Sequence, residues 1–413
     1  MRNKQRGSVF IIALALIVVL SMVIVTAAAS TKIEVTALQN KLTQRRAQRM
    51  AESAMAEALS TLKDQDPNVL SSNDDWSVLG QSGAENVIVG TDSYRIQVLD
   101  AGAFVNLNSA TEEQLQKLPI TQEQVDALLD WRTADGNART NGGKDEFYNQ
   151  LTTPYNAKLK GLSTVTELLL VRNFDAHTLF DVPDTTTTTN LGSGSTDSEL
   201  PLVDLVTVDS TAPNVDPNGT QRQNINTAQV QGLIQLGFTP IVANAIIQRR
   251  NAVGTFTQMA QVLQTPGLTN QNAQQLMDNF TVNTEAVDTG KININTASVE
   301  VLRTIPNLTE DVVQSILTRQ GSFGSIGELA TLNGVNILVL QSLADLVTVG
   351  SNTFVVRTMG IAAGRHVYLQ AIVRVENGEA KIIRMETPPF ADMDVRWGWE
   401  SETTQDRVLV ESQ

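Results

Sequence analysis

Residues 9–29 carry no charge over 21 consecutive positions, and residues 8–63 contain neither proline nor glycine. At about 1.5 Å per residue, such a run crosses the ~30 Å hydrocarbon core of a bilayer as a helix. After Ser30 the chain is rich in Gln, Arg, Ala, Met and Glu, all good helix formers, so nothing stops the helix at the membrane boundary. One continuous helix over 8–63 is expected, a rod on the order of 80 Å. Its second half places Leu38, Leu42, Arg45, Arg46, Arg49, Met50, Ala54, Ala58 and Leu62 along one side at three- and four-residue steps. Ahead of the apolar run stand Arg2, Lys4 and Arg6, a cationic flank that favours the cytoplasmic side. A cleavable secretory signal also has a basic head, an apolar stretch and small residues such as Ala27, Ala28 and Ala29. The uninterrupted helix beyond them argues for an anchor that stays.

A short basic leader ending in Gly7 and followed by this rod resembles a type IV prepilin or pseudopilin signal. That resemblance implies a prepilin peptidase cutting between Gly7 and Ser8, and methylation of the new N-terminus at Ser8. Major pilins carry glutamate at the fifth mature position; here it is Ile12. A carboxylate inside an apolar helix bundle is tolerated only when paired, in such filaments with the N-terminal amine of the neighbouring, earlier-added subunit. A subunit at the distal tip has no such neighbour, so an apolar residue suits that place.

Zero cysteines and two histidines among 413 residues exclude thiol chemistry, cysteine zinc sites and disulfides. The net charge of −14 is uneven: residues 1–63 hold nine Lys and Arg against three Asp and Glu, leaving −20 on the other 350 residues. No catalytic arrangement emerges, since His177 and His366 fall in different regions, each structural or exposed.

The middle of the chain repeats itself. Asn106-Leu107-Asn108-Ser109-Ala110, Asn224-Ile225-Asn226-Thr227-Ala228 and Asn293-Ile294-Asn295-Thr296-Ala297 each open a helical pattern, and 26 residues beyond each first asparagine stands Arg132, Arg250 or Arg319. The second and third copies stay in step through Phe256 and Phe323, Gly267 and Gly334, Asp278 and Asp345, while residues 164–180 echo 325–340. Each unit reads as a short extended piece and two helical hairpins, with Ser109, Thr227 and Thr296 suited to accept N–H groups at a helix start. The units resemble tandem helix-hairpin-helix domains, in which a glycine-containing turn holds a DNA phosphate. Such turns usually read Gly, apolar, Gly; here they read Pro119-Ile120-Thr121, Gly237-Phe238-Thr239, Pro306-Asn307-Leu308, Gly267-Leu268-Thr269 and Gly334-Val335-Asn336. The second glycine is missing each time. Residues 224–349 also carry five basic against eight acidic residues, a poor footprint for a polyanion. Nucleic acid is therefore not the expected partner.

Alternating strand patterns flank the helical region: 87–89 and 94–99 before it, 353–359, 366–375 and 380–386 after it, the last two joined by Glu376-Asn377-Gly378-Glu379. The expected class is α+β: a pilin-like long N-terminal helix with a small antiparallel sheet, split by a large all-α insertion of helix-hairpin-helix or SAM-like repeats. The expected parts are a leader (1–7), the long helix (8–63), a sheet domain in two pieces (64–103 and 351–413), repeat one with an acidic loop (104–182), a linker (183–220), repeat two (221–285) and repeat three (290–350).

This order of parts resembles the type II secretion minor pseudopilin K family. The resemblance rests also on Ala127-Leu128-Leu129-Asp130-Trp131-Arg132, Pro154-Tyr155 and Thr166-Glu167-Leu168-Leu169-Leu170-Val171-Arg172. It implies a single-pass protein of the bacterial inner membrane with its body in the periplasm, sitting at the pseudopilus tip with the I and J minor pseudopilins as partners. A minor pilin of a type IV pilus or DNA-uptake machine remains the other reading. Between Asp130 and Tyr155 lies a loop with Asp135, Asn137, Asp145, Glu146 and three glycines, and the resemblance implies calcium in such a region. Asp135, Asp145 and Glu146 are the candidate ligands, although the spacing matches no EF-hand. The tail, with Asp392, Asp394 and Glu400 among Trp397 and Trp399, offers an aromatic and acidic edge for a partner.

Overall fold

The computed structural model describes residues 5–134, 136–182, 200–388, 393–399 and 405–408. Helix α1 (Gln5–Leu62) is unbroken, as the absence of Pro and Gly requires, and runs about 87 Å. Its apolar residues from Val9 to Val25 are all exposed, and so are Ile33, Leu38 and Leu42. Burial begins at Ala47 and continues through Ala51, Ala54, Met55, Ala58 and Leu62. The buried stripe thus differs from the one read through Leu42, Arg45 and Arg49. Alanines make the seat, and Arg46 turns aside to pair with Asp92 at 2.5 Å.

That seat rests on one six-stranded sheet. Strands β1 (Glu85–Val89), β2 (Asp92–Asp100), β3 (Thr353–Ala362), β4 (Arg365–Glu376), β5 (Glu379–Glu386) and β6 (Gln405–Val408) lie in the order β5-β4-β3-β2-β1-β6. All neighbours are antiparallel except β6, which runs parallel to β1 along the edge and has no counterpart in the alternating pattern. Alternation sends Tyr94, Ile96, Val98, Phe354, Val356, Ala371 and Val373 toward α1. Gly360 lies where the helix comes nearest: a Cβ there would sit 1.9 Å from the Ala47 carbonyl oxygen and 2.4 Å from the Ala51 nitrogen. The β4–β5 turn takes left-handed angles at Asn377 (φ 54°) and Gly378 (φ 73°), the geometry that favours Asn-Gly in two-residue hairpins.

The chain leaves this sheet after β2 and returns at β3. Between them the three repeats share one continuous apolar core, running from Val105 to Val349 and separate from the helix–sheet core. Each repeat is tied shut by a two-residue parallel ladder between its opening and closing segments: Val105–Asn106 with Val206–Thr207, Gln223–Asn224 with Phe280–Thr281, and Ile292–Asn293 with Val347–Thr348. Within the stretch read as a linker or surface loop over 183–220, residues 200–220 are corrected by this, while 183–199 lie outside the described residues. Leu202, Leu205, Val206 and Val208 are buried in the core, so repeat one closes at 208, and Thr211–Pro213 pairs with Val287–Thr289. The sequence signal was there, because Asp204-Leu205-Val206-Thr207-Val208 recurs letter for letter at 345–349.

The junction between insertion and sheet is polar. Asp100, fully buried at the end of β2, accepts from Gly102 N (2.8 Å), Asn293 Nδ2 (2.9 Å) and Thr296 Oγ1 (2.6 Å). Burial raises its pKa above the usual carboxylate range, against the lowering effect of these hydrogen bonds. The folded chain therefore holds the Asp100 proton at pH values where the unfolded chain has lost it. Stability from this residue is fully present below the ordinary carboxyl pKa of about 3.9 and is lost as pH rises through the folded value. The melting temperature of the parent chain minus that of Asp100→Asn should accordingly increase on acidification from neutral pH. A pH-independent difference would exclude this account.

Candidate functional site

The repeated Asn-x-Asn segment fixes the form of each helical unit. The first asparagine folds back so that its side-chain oxygen accepts the backbone N–H two residues on: Asn106 from Asn108, Asn224 from Asn226, and Asn293 from Asn295, all at 2.9–3.0 Å. The second asparagine reaches across the unit and holds both backbone groups of one distant residue. Asn226 accepts from Phe256 N (2.8 Å) and donates to Phe256 O (3.0 Å); Asn295 does the same with Phe323 (3.1 and 2.9 Å), and Asn108 accepts from Leu162 N and donates to Leu162 O. The hydroxyls of Ser109, Thr227 and Thr296 do not cap helices as expected. They donate backward, to the oxygens of Asn106, Asn224 and Asn293, because the next helix starts later.

The arginines at equal offset have two roles. Arg132 donates to the Leu107 and Ala110 carbonyls, and Arg250 to those of Ile225 and Ala228. In repeat three Gln320 does this work, donating to Ile294 O and Ala297 O, while Arg319 pairs with Glu328. An extended residue at Gln320 shifts the register by one place. Equal spacing in sequence did not mean equal function.

The hairpin turns decide what the repeats can bind. Helices α2 (Gln122–Arg132), α3 (Pro240–Val253) and α4 (Glu310–Arg319) each follow the first turn of a repeat. The position that would hold the second glycine carries a capping residue instead. Thr121 accepts from Gln124 N and Thr239 from Val242 N; in the second hairpins Asp175 accepts from Thr178 N, Thr269 from Asn272 N, and Asn336 from Leu338 N and Val339 N. At each of these helix starts at least one of the free N–H groups is thus already engaged by the protein's own side chain. Thr309 makes no such bond, but Glu310 and Asp311 follow it and repel an anion.

Repeats two and three are joined by reciprocal hydrogen bonds. Asp278, closing repeat two, accepts from Gly327 N (2.8 Å) of repeat three. Asp345, closing repeat three, accepts from Met259 N (2.8 Å) and Ala260 N (2.9 Å) of repeat two. Each therefore caps the third helix of the other repeat. The matching residue of repeat one, Asp204, instead faces the sheet and pairs with Arg357 on β3 at 3.5 Å. One position of the repeat thus joins two units to each other and the third to the sheet.

Gly7 and Ser8 fall in the first turns of α1. Asp135 lies outside the described residues. Asp145 begins the short helix Asp145–Tyr148 and accepts from Ala157 N at 2.8 Å, while Glu146 is exposed. Among the described residues no three His, Cys, Asp or Glu side chains gather in a group able to hold a metal. Several of the loop's polar atoms are bound within the protein. Asp130 Oδ2 accepts from Arg139 N (2.9 Å), Lys144 Nζ donates to Thr133 O (2.8 Å) and Ala134 O (3.4 Å), and Arg172 donates to Gly142 O (2.6 Å). A calcium ion, which takes six to eight oxygens, would compete with these internal bonds for the loop.

The tail also differs from its expected role. Trp397 and Trp399 are buried against Met359 and Tyr368, and Asp394 accepts from the Tyr368 hydroxyl at 2.8 Å, so this edge covers the outer face of the sheet. Asp392 and Glu400 lie outside the described residues. His177 is exposed beside Asp181, whose carboxylate raises its pKa, and His366 lies 3.3 Å from Tyr368 Oη.

The family described as "Type II secretion system (T2SS), protein K" matches residues 102–183, and "Helix-hairpin-helix motif" matches residues 221–281 and 287–348. No curated protein matches the chain. Among solved structures, a chain of the GspK-GspI-GspJ complex from the type 2 secretion system of enterotoxigenic Escherichia coli is similar at 16% identity and a TM-score of 0.43, covering 86% of this chain and 99% of that one. Residues 102–183 are thus similar to the protein K family of the type II secretion system, and the second and third repeats to helix-hairpin-helix motifs.

Proposed function

We propose that this chain is a minor pseudopilin at the tip of a type II secretion pseudopilus, capping the fibre and starting its assembly. A protein K match within a large folded body, joined to a helix whose uncharged residues 9–29 are all exposed, is the observation that carries this reading. A filament grows by stacking such helices side by side. A subunit whose body extends well beyond the helix can close a stack but leaves no room for another subunit above it. Ile12, where a paired carboxylate would otherwise stand, suits the same end position.

In this reading residues 9–29 anchor the chain in the inner membrane with the body in the periplasm, and prepilin peptidase cuts between Gly7 and Ser8, after which Ser8 is methylated. The partners are minor pseudopilins of the I and J kind, contacted through the helix and the sheet. The capped hairpin turns and the acidic repeats argue against a DNA-binding pilin.

Two measurements test the proposal together. Mass spectrometry of the chain isolated from its membrane should find the N-terminus at Ser8, carrying a methyl group; a start near Ser30 would remove the pilin-like anchor. Co-purification should recover the I and J pseudopilins at stoichiometric amounts, and labelling should mark fibre ends. Label spaced regularly along the shaft would refute the tip position.

A further inference from the structure

We propose that the free face of α1 beyond residue 29 is a helix-docking seam that rejects a second copy of this chain. It takes a parallel helix of another chain, one carrying carboxylates at the heights of Arg45 and Arg49. The proposal deepens the function given above and rests on its reading of residues 9–29 as an anchor.

The seat of α1 on the sheet is made by Ala47, Ala51, Ala54 and Ala58. At about 100° per residue, Val35, Leu38, Leu42, Arg45 and Arg49 fall on the opposite side of the helix. They follow one another at alternating three- and four-residue steps, the spacing by which two helices meet side by side. The apolar members are uncovered: Val35, Leu38 and Leu42 are 48%, 61% and 54% exposed. Lipid does not reach them, since Leu38 and Leu42 stand about 14 and 20 Å beyond Ala29, whereas the headgroup layer adds only ~5–8 Å to each side of the hydrocarbon. A protein surface is therefore the occupant that fits.

Charge selects which protein. Arg45, Arg49 and the flanking Lys41 are exposed, and among the described residues none of them has an ion pair, whereas Arg46 turns to Asp92. Glu52, the next residue along the seam, is held by Gln48 Nε2 at 2.9 Å. Chains anchored with their basic ends on the same side of the membrane lie parallel, so equal heights meet in layers. A second copy would set Arg45 against Arg45 and Arg49 against Arg49, like charges drawn partly out of water. An apolar helix would cover both guanidinium groups and offer them nothing. Carboxylates at these two heights remove both costs, and each can take two N–H bonds from one guanidinium. The chain then enters an assembly beside other subunits but not beside itself, as suits one copy at a fibre end.

The chain has no cysteine, so Thr31→Cys, four residues before Val35 on the same seam, reports side-by-side contact as a disulfide-linked pair. The probe is the full chain itself, as the parent and as Arg45→Glu/Arg49→Glu, both bearing Thr31→Cys, told apart by a size tag and mixed in lipid vesicles. The mixed pair should form at ten times or more the yield of either like pair. A parent chain that links to itself as readily as to the glutamate variant would overturn the proposal, and so would a mixed pair no better than the like pairs. In co-purification Arg45→Glu/Arg49→Glu should lower recovery of the I or J pseudopilin tenfold, while Arg45→Lys/Arg49→Lys keeps it. Unchanged recovery with the glutamate variant would overturn the assignment of the seam to those partners and leave the tip position standing. Absence of I and J from the parent preparation, with mixed pairing intact, would instead sink the proposed function and leave the seam.

Discussion

Gly360→Ala should unseat the long helix from the sheet, at a cost of about 3 kcal/mol or more. The added methyl carbon would lie 1.9 Å from the Ala47 carbonyl oxygen and 2.4 Å from the Ala51 nitrogen, and both obstacles are backbone. A side chain can turn aside; a helix backbone can only move as a whole. Lifting α1 opens the contacts of Ala54, Ala58 and Leu62 with Phe354, Val356 and Val373, the whole of the helix–sheet core. Equilibrium denaturation of the full chain in micelles reads the loss. Gly232→Ala provides the control, because nothing lies within 4 Å of a Cβ there and the site is a helix. That variant should be neutral or more stable by up to about 1 kcal/mol. If both substitutions behave alike, close helix–strand approach is not what holds this domain together.

The second large effect belongs to Asn295. Its side chain is fully buried, accepts from Gly321 N (3.2 Å) and Phe323 N (3.1 Å), and donates to Phe323 O (2.9 Å). Asn295→Ala leaves two N–H groups and one carbonyl without partners in a place water does not reach. A loss of about 3–5 kcal/mol follows from stranded polar groups of this kind. The equivalent Asn226→Ala should cost less, since Asn226 is only partly buried and water can replace its bonds. The ranking of the two melting temperatures, parent above Asn226→Ala above Asn295→Ala, checks the argument. Equal losses would mean that burial does not set the cost.

Three features of the fold were legible before any coordinates. The absence of Pro and Gly over 8–63 required one long helix, and alternation with an Asn-Gly turn marked the strands around the insertion. Recurrence of Asn-x-Asn marked three equivalent units. Other features were legible but read past: the second Asp-Leu-Val-Thr-Val at 204–208 shows where repeat one ends, and only the long interruption before it hid the match. Ala54, Ala58 and Leu62 were on the stripe read from the sequence, but Ala47 and Ala51 were missed because alanine weighs little in a hydrophobic pattern. Yet a larger residue at Ala47 or Ala51 could not come so close to Gly360.

The candidate site divides in the same way. That the hairpin turns lack a second glycine was visible in the letters, but not that Thr121, Thr239, Thr269, Asp175 and Asn336 use the freed position to bind the helix ends themselves. Acidic residues around 130–146 suggested a cation. The fold brings Lys144, Arg139 and Arg172 to the same loop, the last from more than 25 residues away in sequence. Likewise the tail tryptophans looked free until the outer face of the sheet was seen to lie beneath them.

Local chemistry is a property of neighbouring residues, so sequence alone determined the anchor-length helix, the strands, the repeated units and the unfavourable charge for nucleic acid. Which polar groups satisfy one another depends on residues far apart in the chain, and that was decided only in three dimensions. Asp278 and Asp345 occupy the same place in two repeats and cap each other's repeat, while Asp204, at that place in the remaining one, meets Arg357 on the sheet. Their letters are identical, and their partners are set by how the units pack.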